Sequence, residues 1–118
     1  MLTLMSFEAG SAQPKDSYMR IAKLVIDSAQ LEPYKAALKE HLETAVRVEP
    51  GVLSLNAVYE KNNPTHITVF EIYADEEAYK SHVQTPHFKK YKATTQNMVK
   101  SLELIDVAPI DSKAKPSL

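Results

Sequence analysis

The sequence contains no cysteine and no tryptophan, and only two glycines, Gly10 and Gly51. Without cysteine there are no disulfides, no thiolate zinc sites and no thiol nucleophile. Two isolated glycines cannot form the G-x-G-x-x-G turn of a dinucleotide site or a Walker-type phosphate loop, so the common nucleotide cofactors lose their usual cradle. No G-x-S-x-G elbow supports a serine triad. Neither sign of charge is in surplus, with Lys+Arg 14 against Asp+Glu 15. Neutralising a nucleic-acid backbone needs a basic excess, so the run Lys89-Lys90-Tyr91-Lys92 reads as a solvated helix face. Apolar runs are only a few residues long, too short to span a bilayer. The chain is therefore expected to have neither nucleic acid nor a membrane as partner. Its 118 residues suffice for one domain that needs no disulfide or metal to hold it together.

Residues 1–18 read as an N-terminal extension, 19–111 as the domain and 112–118 as a polar tail. Met1–Phe7 is mostly apolar and the stretch after it is small and turn-prone. One reading of it is a secretory signal, because Ala9-Gly10-Ser11-Ala12 resembles a small-residue cleavage site. The missing basic n-region and the short apolar part favour a cytoplasmic protein instead.

Met19–Asp27 is rich in Ile, Val and Leu and predicts a strand. Asp27 and Ser28 offer caps, Pro33 suits a first helical turn, and Tyr34–Val48 has helical periodicity. Leu38, His41, Leu42, Ala45 and Val48 share one face, with Lys35, Lys39, Glu40, Glu43 and Arg47 mostly opposite. Pro50-Gly51 ends that helix. Val52–Glu60 and Thr65–Tyr73 predict a hairpin around Lys61–Pro64, with Leu53, Leu55, Ala57 and Tyr59 on one face. Asp75 is a natural N-cap for a helix through Ala78, Tyr79, His82 and Val83, which Pro86 interrupts. A further helix carries Phe88, Tyr91, Thr95, Met98 and Val99, and Leu102–Ile110 reads as the last strand. The order β-α-β-β-α-α-β is that of an α+β, ferredoxin-like fold, with helices on one face of a four-stranded antiparallel sheet. The first strand is apolar on both faces, Ile21 and Val25 on one, Ala22, Leu24 and Ile26 on the other. No element is left over to cover the second face, which predicts a homodimer through it.

Four histidines are the obvious candidates for chemistry. His82 and His87 flank Pro86 and lie five apart, which is not the spacing of helical zinc ligands. The nearest acids in sequence are Glu76 and Glu77, so no metal is expected. His82 shares a face with Ala78 and Tyr79 and is either a buried, hydrogen-bonded histidine or a base lining a pocket. His41 sits within an apolar stripe and must find a partner or face a cavity. His66, beside the hairpin turn, reads as solvated. Glu71 alternates with Val69 and Tyr73, so it is either paired with Lys23 or Arg20 or serves as a pocket acid. Asn56 and Tyr59 point from opposite faces of their strand, each able to supply one polar contact.

Taken together, Glu49-Pro50-Gly51, Glu71-x-Tyr73 with Asp75, and His82-x-x-Thr85-Pro86-His87-Phe88 resemble the antibiotic biosynthesis monooxygenase superfamily over roughly Arg20–Ile110. The resemblance implies a dimeric ferredoxin-like domain with a pocket between sheet and helices. It also implies oxygenation of a small quinol or polyketide-like aromatic by O₂ without metal or flavin. By this likeness His82 is the leading base, His87 and Phe88 close one wall, and Asn56, Glu71 and Tyr73 orient the substrate. Tyr59 and Tyr91 complete the substrate-contacting candidates, and His41 joins His82 as a catalytic candidate from its position alone. Many members carry Trp where this chain has Tyr73, and the haem-degrading branch relies on a Trp, so haem is not expected. The Thr85-Pro86-His87-Phe88 motif also resembles a branch that isomerises a phosphorylated autoinducer-2 sugar. A phosphosugar isomerase and a non-catalytic dimeric ligand-binding module are the alternatives.

Overall fold

The computed structural model describes residues 17–116. The N-terminal stretch with its two readings lies almost wholly outside them. Four strands form one antiparallel sheet in the order β2-β3-β1-β4: β1 Tyr18–Ile26, β2 Val52–Glu60, β3 Asn63–Tyr73 and β4 Val99–Val107. Helices α1 (Leu31–Val48), α2 (Glu76–His82) and α3 (Pro86–Thr95) complete the ferredoxin-like arrangement. None of the described helices is long and apolar enough to cross a membrane.

Local chemistry accounts for the boundaries. The Asp27 carboxylate accepts the Ala29 N–H and caps a short 3₁₀ turn, Ser28–Gln30, that runs into α1. Tyr34, Leu38, His41 and Ala45 recur at helical spacing and are buried. Val48, expected on the same stripe, is the last helical residue and stands nearly half exposed where the chain turns away. Gly51 follows, and its φ is not positive, so space rather than conformation demands glycine. A Cβ there would lie 2.6 Å from the Ala78 Cβ.

The β2–β3 hairpin turns on Lys61-Asn62 alone, and β3 starts two residues before Thr65. Pro64 is tolerated because the β1 ladder begins only at His66. Asp75 caps α2 by accepting the Ala78 N–H at 2.8 Å. Thr85, held extended ahead of Pro86, caps α3 by accepting the Phe88 N–H. Its hydroxyl also donates to the His82 carbonyl at 2.7 Å, tying α2 to α3 across the proline.

The last strand differs from expectation. Instead of Leu102–Ile110, β4 runs Val99–Val107, and α3 stops at Thr95 without reaching Met98 or Val99. The Met98 N–H turns back to the Thr95 carbonyl, and Val99 already pairs with Ile26. At the other end Val107 pairs with Met19, next to the start of β1, so Ala108-Pro109 have no strand left beside them.

The sheet's two faces fare differently. Toward the helices, Ala22, Leu24, Ile26, Ile67 and Val69 pack against Tyr34 and Leu38, and Val52 and Tyr73 pack against Ala45. On the reverse face Ile21 lies between Phe70 and Ile105, and Val58 is 62% exposed. His66, expected to be solvated, is half-buried on that face opposite Val25, with no partner for Nδ1 among the described residues. Lys23 stands there too, opposite Thr68, which removes it as a partner for Glu71.

Candidate functional site

A cavity of about 100 Å³ lies between the helix-facing side of the sheet and the three helices. Helix α1 contributes Leu38, His41 and Leu42, α2 contributes Tyr79 and His82, and α3 contributes Phe88, Tyr91 and Lys92. The sheet floor is Ala22, Leu24, Leu55 and Val69, with Arg20, Glu71 and Tyr73 at one end. Leu102 and Leu104 border it from β4 and remain 44% and 46% exposed, which marks β4 as the open side.

The central feature is an acid absent from the candidates drawn from sequence. Helix α1 ends at Val48, and Glu49 takes an extended conformation, its N–H returning to the Ala45 carbonyl. Its carboxylate turns to the α2–α3 junction, where Oε2 lies 2.8 Å from His82 Nδ1 and 2.5 Å from His87 Nε2. The three side chains are 12%, 3% and 17% exposed, in the order Glu49, His82, His87. A carboxylate only accepts, so each ring nitrogen facing it carries the hydrogen. His82 is thereby oriented with Nε2 as the nitrogen left for the cavity. This is the carboxylate–imidazole arrangement that sets a general base.

Glu49, His82 and His87 also bring three potential metal donors within 4.8 Å of one another, an acid in this place that is not anticipated from sequence, where Glu76 and Glu77 are the nearest acids. Their contacts of 2.5 and 2.8 Å close a hydrogen-bonded cluster.

His41 lies at the meeting point of the aromatic wall. Its ring centroid is 5.2 Å from His82, 5.8 Å from His87 and 4.7 Å from Tyr91, on which it stacks. Burial, reinforced by His82 and His87, pushes its pKa down to about 4. The ring is neutral at physiological pH, and its buried Nδ1 has no partner among the described residues. A bound polar group would satisfy it. Tyr91 is held by the hydroxyl of Tyr34, 2.5 Å away. At the polar end Tyr73 donates to Glu71 at 2.8 Å. Burial pushes the Glu71 carboxyl up, against the opposing pull of the Tyr73 hydroxyl and Arg20. Arg20 itself is paired with Asp106 at 3.0 Å and covers the Tyr79 ring.

Of the residues singled out from sequence, His41, Glu71, Tyr73, His82, Phe88 and Tyr91 border this cavity together. His87 does not line it and is linked to His82 through the Glu49 oxygen that both rings share. Asn56 does not: it pairs with Phe70 on the reverse face, where it is exposed and bonded to Ser54. Tyr59 lies on the helix-facing side but in a separate groove, under the Lys35 ammonium. Glu49, Arg20 and Tyr79 were not chosen as site residues, although Glu49 opens the Glu49-Pro50-Gly51 motif.

Comparison with known proteins agrees with this geometry. The family model described as antibiotic biosynthesis monooxygenase matches residues 17–94. A solved structure from Bacteroides thetaiotaomicron VPI-5482, named for the same family, is 52% identical, with 87% of this chain and 98% of that one covered and a TM-score of 0.83. A protein of Lactobacillus acidophilus NCFM, named for monooxygenase activity, is 32% identical over 83% of this chain and 47% of its own, at a TM-score of 0.79. A Nitrosomonas europaea protein bearing the family name shares the fold at 19% identity, with 80% of this chain and 99% of that one covered and a TM-score of 0.75. None of the curated proteins matches.

Proposed function

The chain belongs to the antibiotic biosynthesis monooxygenase family, and from that premise we propose that it oxygenates a small quinol with O₂, without metal or organic cofactor. The observation that carries this reading is the Glu49–His82 hydrogen bond beside an aromatic-walled, largely apolar cavity. His82 Nε2 takes a proton from a substrate hydroxyl, and the resulting electron-rich anion reduces O₂ directly. One oxygen atom enters the ring and the other leaves as water, so a hydroquinone plus O₂ gives a hydroxyquinone plus H₂O. Glu71, Tyr73 and the unpartnered Nδ1 of His41 supply polar contacts to the ring's oxygens.

The enclosed space, about 100 Å³, is smaller than the roughly 150 Å³ cavity known to take up benzene, which favours a single ring reaching toward the open side over a fused polyketide. A larger substrate extends past Leu102 and Leu104. A phosphosugar isomerase would need several cations at the substrate, whereas the lining offers Lys92 and an Arg20 already engaged by Asp106 and is otherwise mostly apolar. The reverse sheet face, where Val58 and Phe70 stand exposed, supports a homodimer formed through Ile21, Val58, Phe70 and Ile105.

The test is O₂ uptake with 2-methylhydroquinone and with reduced menadione. The expected result is uptake by the wild type that His82→Ala loses. Turnover of a phosphorylated ketose without O₂ uptake would replace this reading with the isomerase, and saturable binding without turnover would leave a binding module.

A further inference from the structure

One oxygen of Glu49 meets two imidazoles, and the two rings open on different spaces. His82 lines the substrate cavity. His87 lines a smaller pocket that shares His41 as a wall and is bordered by Glu40, Thr44 and Lys90. With His87 Nε2 committed to Glu49 at 2.5 Å, Nδ1 is the nitrogen left for the second pocket. A base that takes a proton in an apolar cavity leaves an imidazolium there, which is costly unless its charge is balanced.

We propose that Glu49 and His87 balance the charge of His82 while it holds the substrate's proton. In the resting cluster the Glu49 carboxylate is paired with an imidazolium at His87. When His82 Nε2 takes a proton from a bound hydroxyl, the charge is exchanged: His82 becomes the imidazolium and His87 Nδ1 gives its proton to the solvent of the second pocket. One proton enters at His82 and one leaves at His87, while Glu49 stays ionised; when His82 returns its proton to the oxygen that departs as water, His87 regains one from the solvent and the turnover releases none. The cluster holds one carboxylate and one imidazolium throughout. Glu49 and His87 are positioning residues here, since neither touches substrate. The scheme rests on His82 being the base.

The surroundings allow the exchange. Around the second pocket the titratable groups are His41 and Glu40 from α1 and Lys90 and Tyr91 from α3, and from β3 the Tyr73 ring packs 5.4 Å from His82, its hydroxyl kept protonated by burial. Lys90 is paired with Glu40 at 3.2 Å. His41 is kept neutral by burial and by its two histidine neighbours, so it does not compete for the proton. Tyr91 is held by Tyr34 and raised by burial, so it stays a hydroxyl.

Ring-¹⁵N NMR of the full-length protein at neutral pH reads the resting state directly. The expected pattern is His87 protonated at both nitrogens and His82 as the neutral Nδ1–H tautomer, with Glu49→Gln returning His87 to a neutral ring. A neutral His87 in the wild type overturns the proposal. Kinetically, His87→Gln keeps a donor for Glu49 but cannot carry the proton. Its kcat should fall about 10-fold in dilute buffer at unchanged KM and recover with added imidazole, to which the wild type is indifferent. A His87→Gln enzyme as fast as wild type in dilute buffer overturns the exchange as well. If the NMR pattern holds but no quinol is oxidised, the oxygenase reading fails and the charged resting pair stands. If uptake is intact and the pattern absent, the exchange alone fails.

Discussion

His41 lies flat against Tyr91, ring centroids 4.7 Å apart and planes 11° from parallel. Phe88 meets the same ring edge-on. A histidine enclosed in this way is held as a neutral, shape-defining wall, and its protonation is opposed by burial and by two further imidazoles.

The consequence for stability has a definite sign. His41 titrates near 6.5 when unfolded and near 4 when folded. Above pH 6.5 neither state takes the proton and stability is complete. As pH falls from 6.5 to 4 only the unfolded state takes it up, and up to about 3 kcal/mol is lost. Urea midpoints at pH 7 and pH 4.5 should show this loss, and His41→Phe should reduce it. An equal loss in both proteins would refute the neutral-ring account.

Gly51 and Ala78 set the spacing between the end of α1 and α2. In Gly51→Ala the new methyl meets the Ala78 Cβ at 2.6 Å, and overpacking of this kind costs about 1–3 kcal/mol. The double variant with Ala78→Gly should recover most of the loss in thermal melts. Failure to recover would place the strain elsewhere.

Glu49→Gln preserves the shape of the side chain but removes the charge that orients His82. The expected effect is a kcat lowered about 10–100-fold with KM little altered. A change confined to KM would show that Glu49 shapes binding instead.

Phe70→Glu sets a carboxylate in the middle of the uncovered sheet face, opposite Ile21. If that face joins two copies, light scattering at micromolar concentration should give twice the chain mass for the wild type and the single mass for the variant. Burying an unpaired charge in such an interface costs several kcal/mol.

Much of the fold is written locally. The Ile, Val and Leu run of β1, the alternation in β2, the apolar stripe of α1 and the break at Pro86 were all legible, because period and turn chemistry are properties of neighbouring residues. Val99–Ser101 were not, since Val99 continues the helical spacing of Thr95 equally well; pairing with Val25 and Ile26 decides the matter. Asn56 and Tyr59 were correctly set on opposite faces. Local alternation could not say which side of β2 the cavity would occupy, nor that the cavity would stop short of Tyr59. Glu49 escaped for a similar reason: it meets His82 and His87 across 33 and 38 residues, and only the closed fold brings them together.

The two half-exposed leucines on β4 act on traffic through the cavity mouth. Molecular oxygen, which carries no hydration shell to strip, crosses an apolar threshold freely, and an uncharged ring gains by doing so. An ion would have to shed its water against Leu102 and Leu104 on the way to His82. For the proposed reaction, such a doorway favours reactants in their neutral form and leaves their ionisation to the interior.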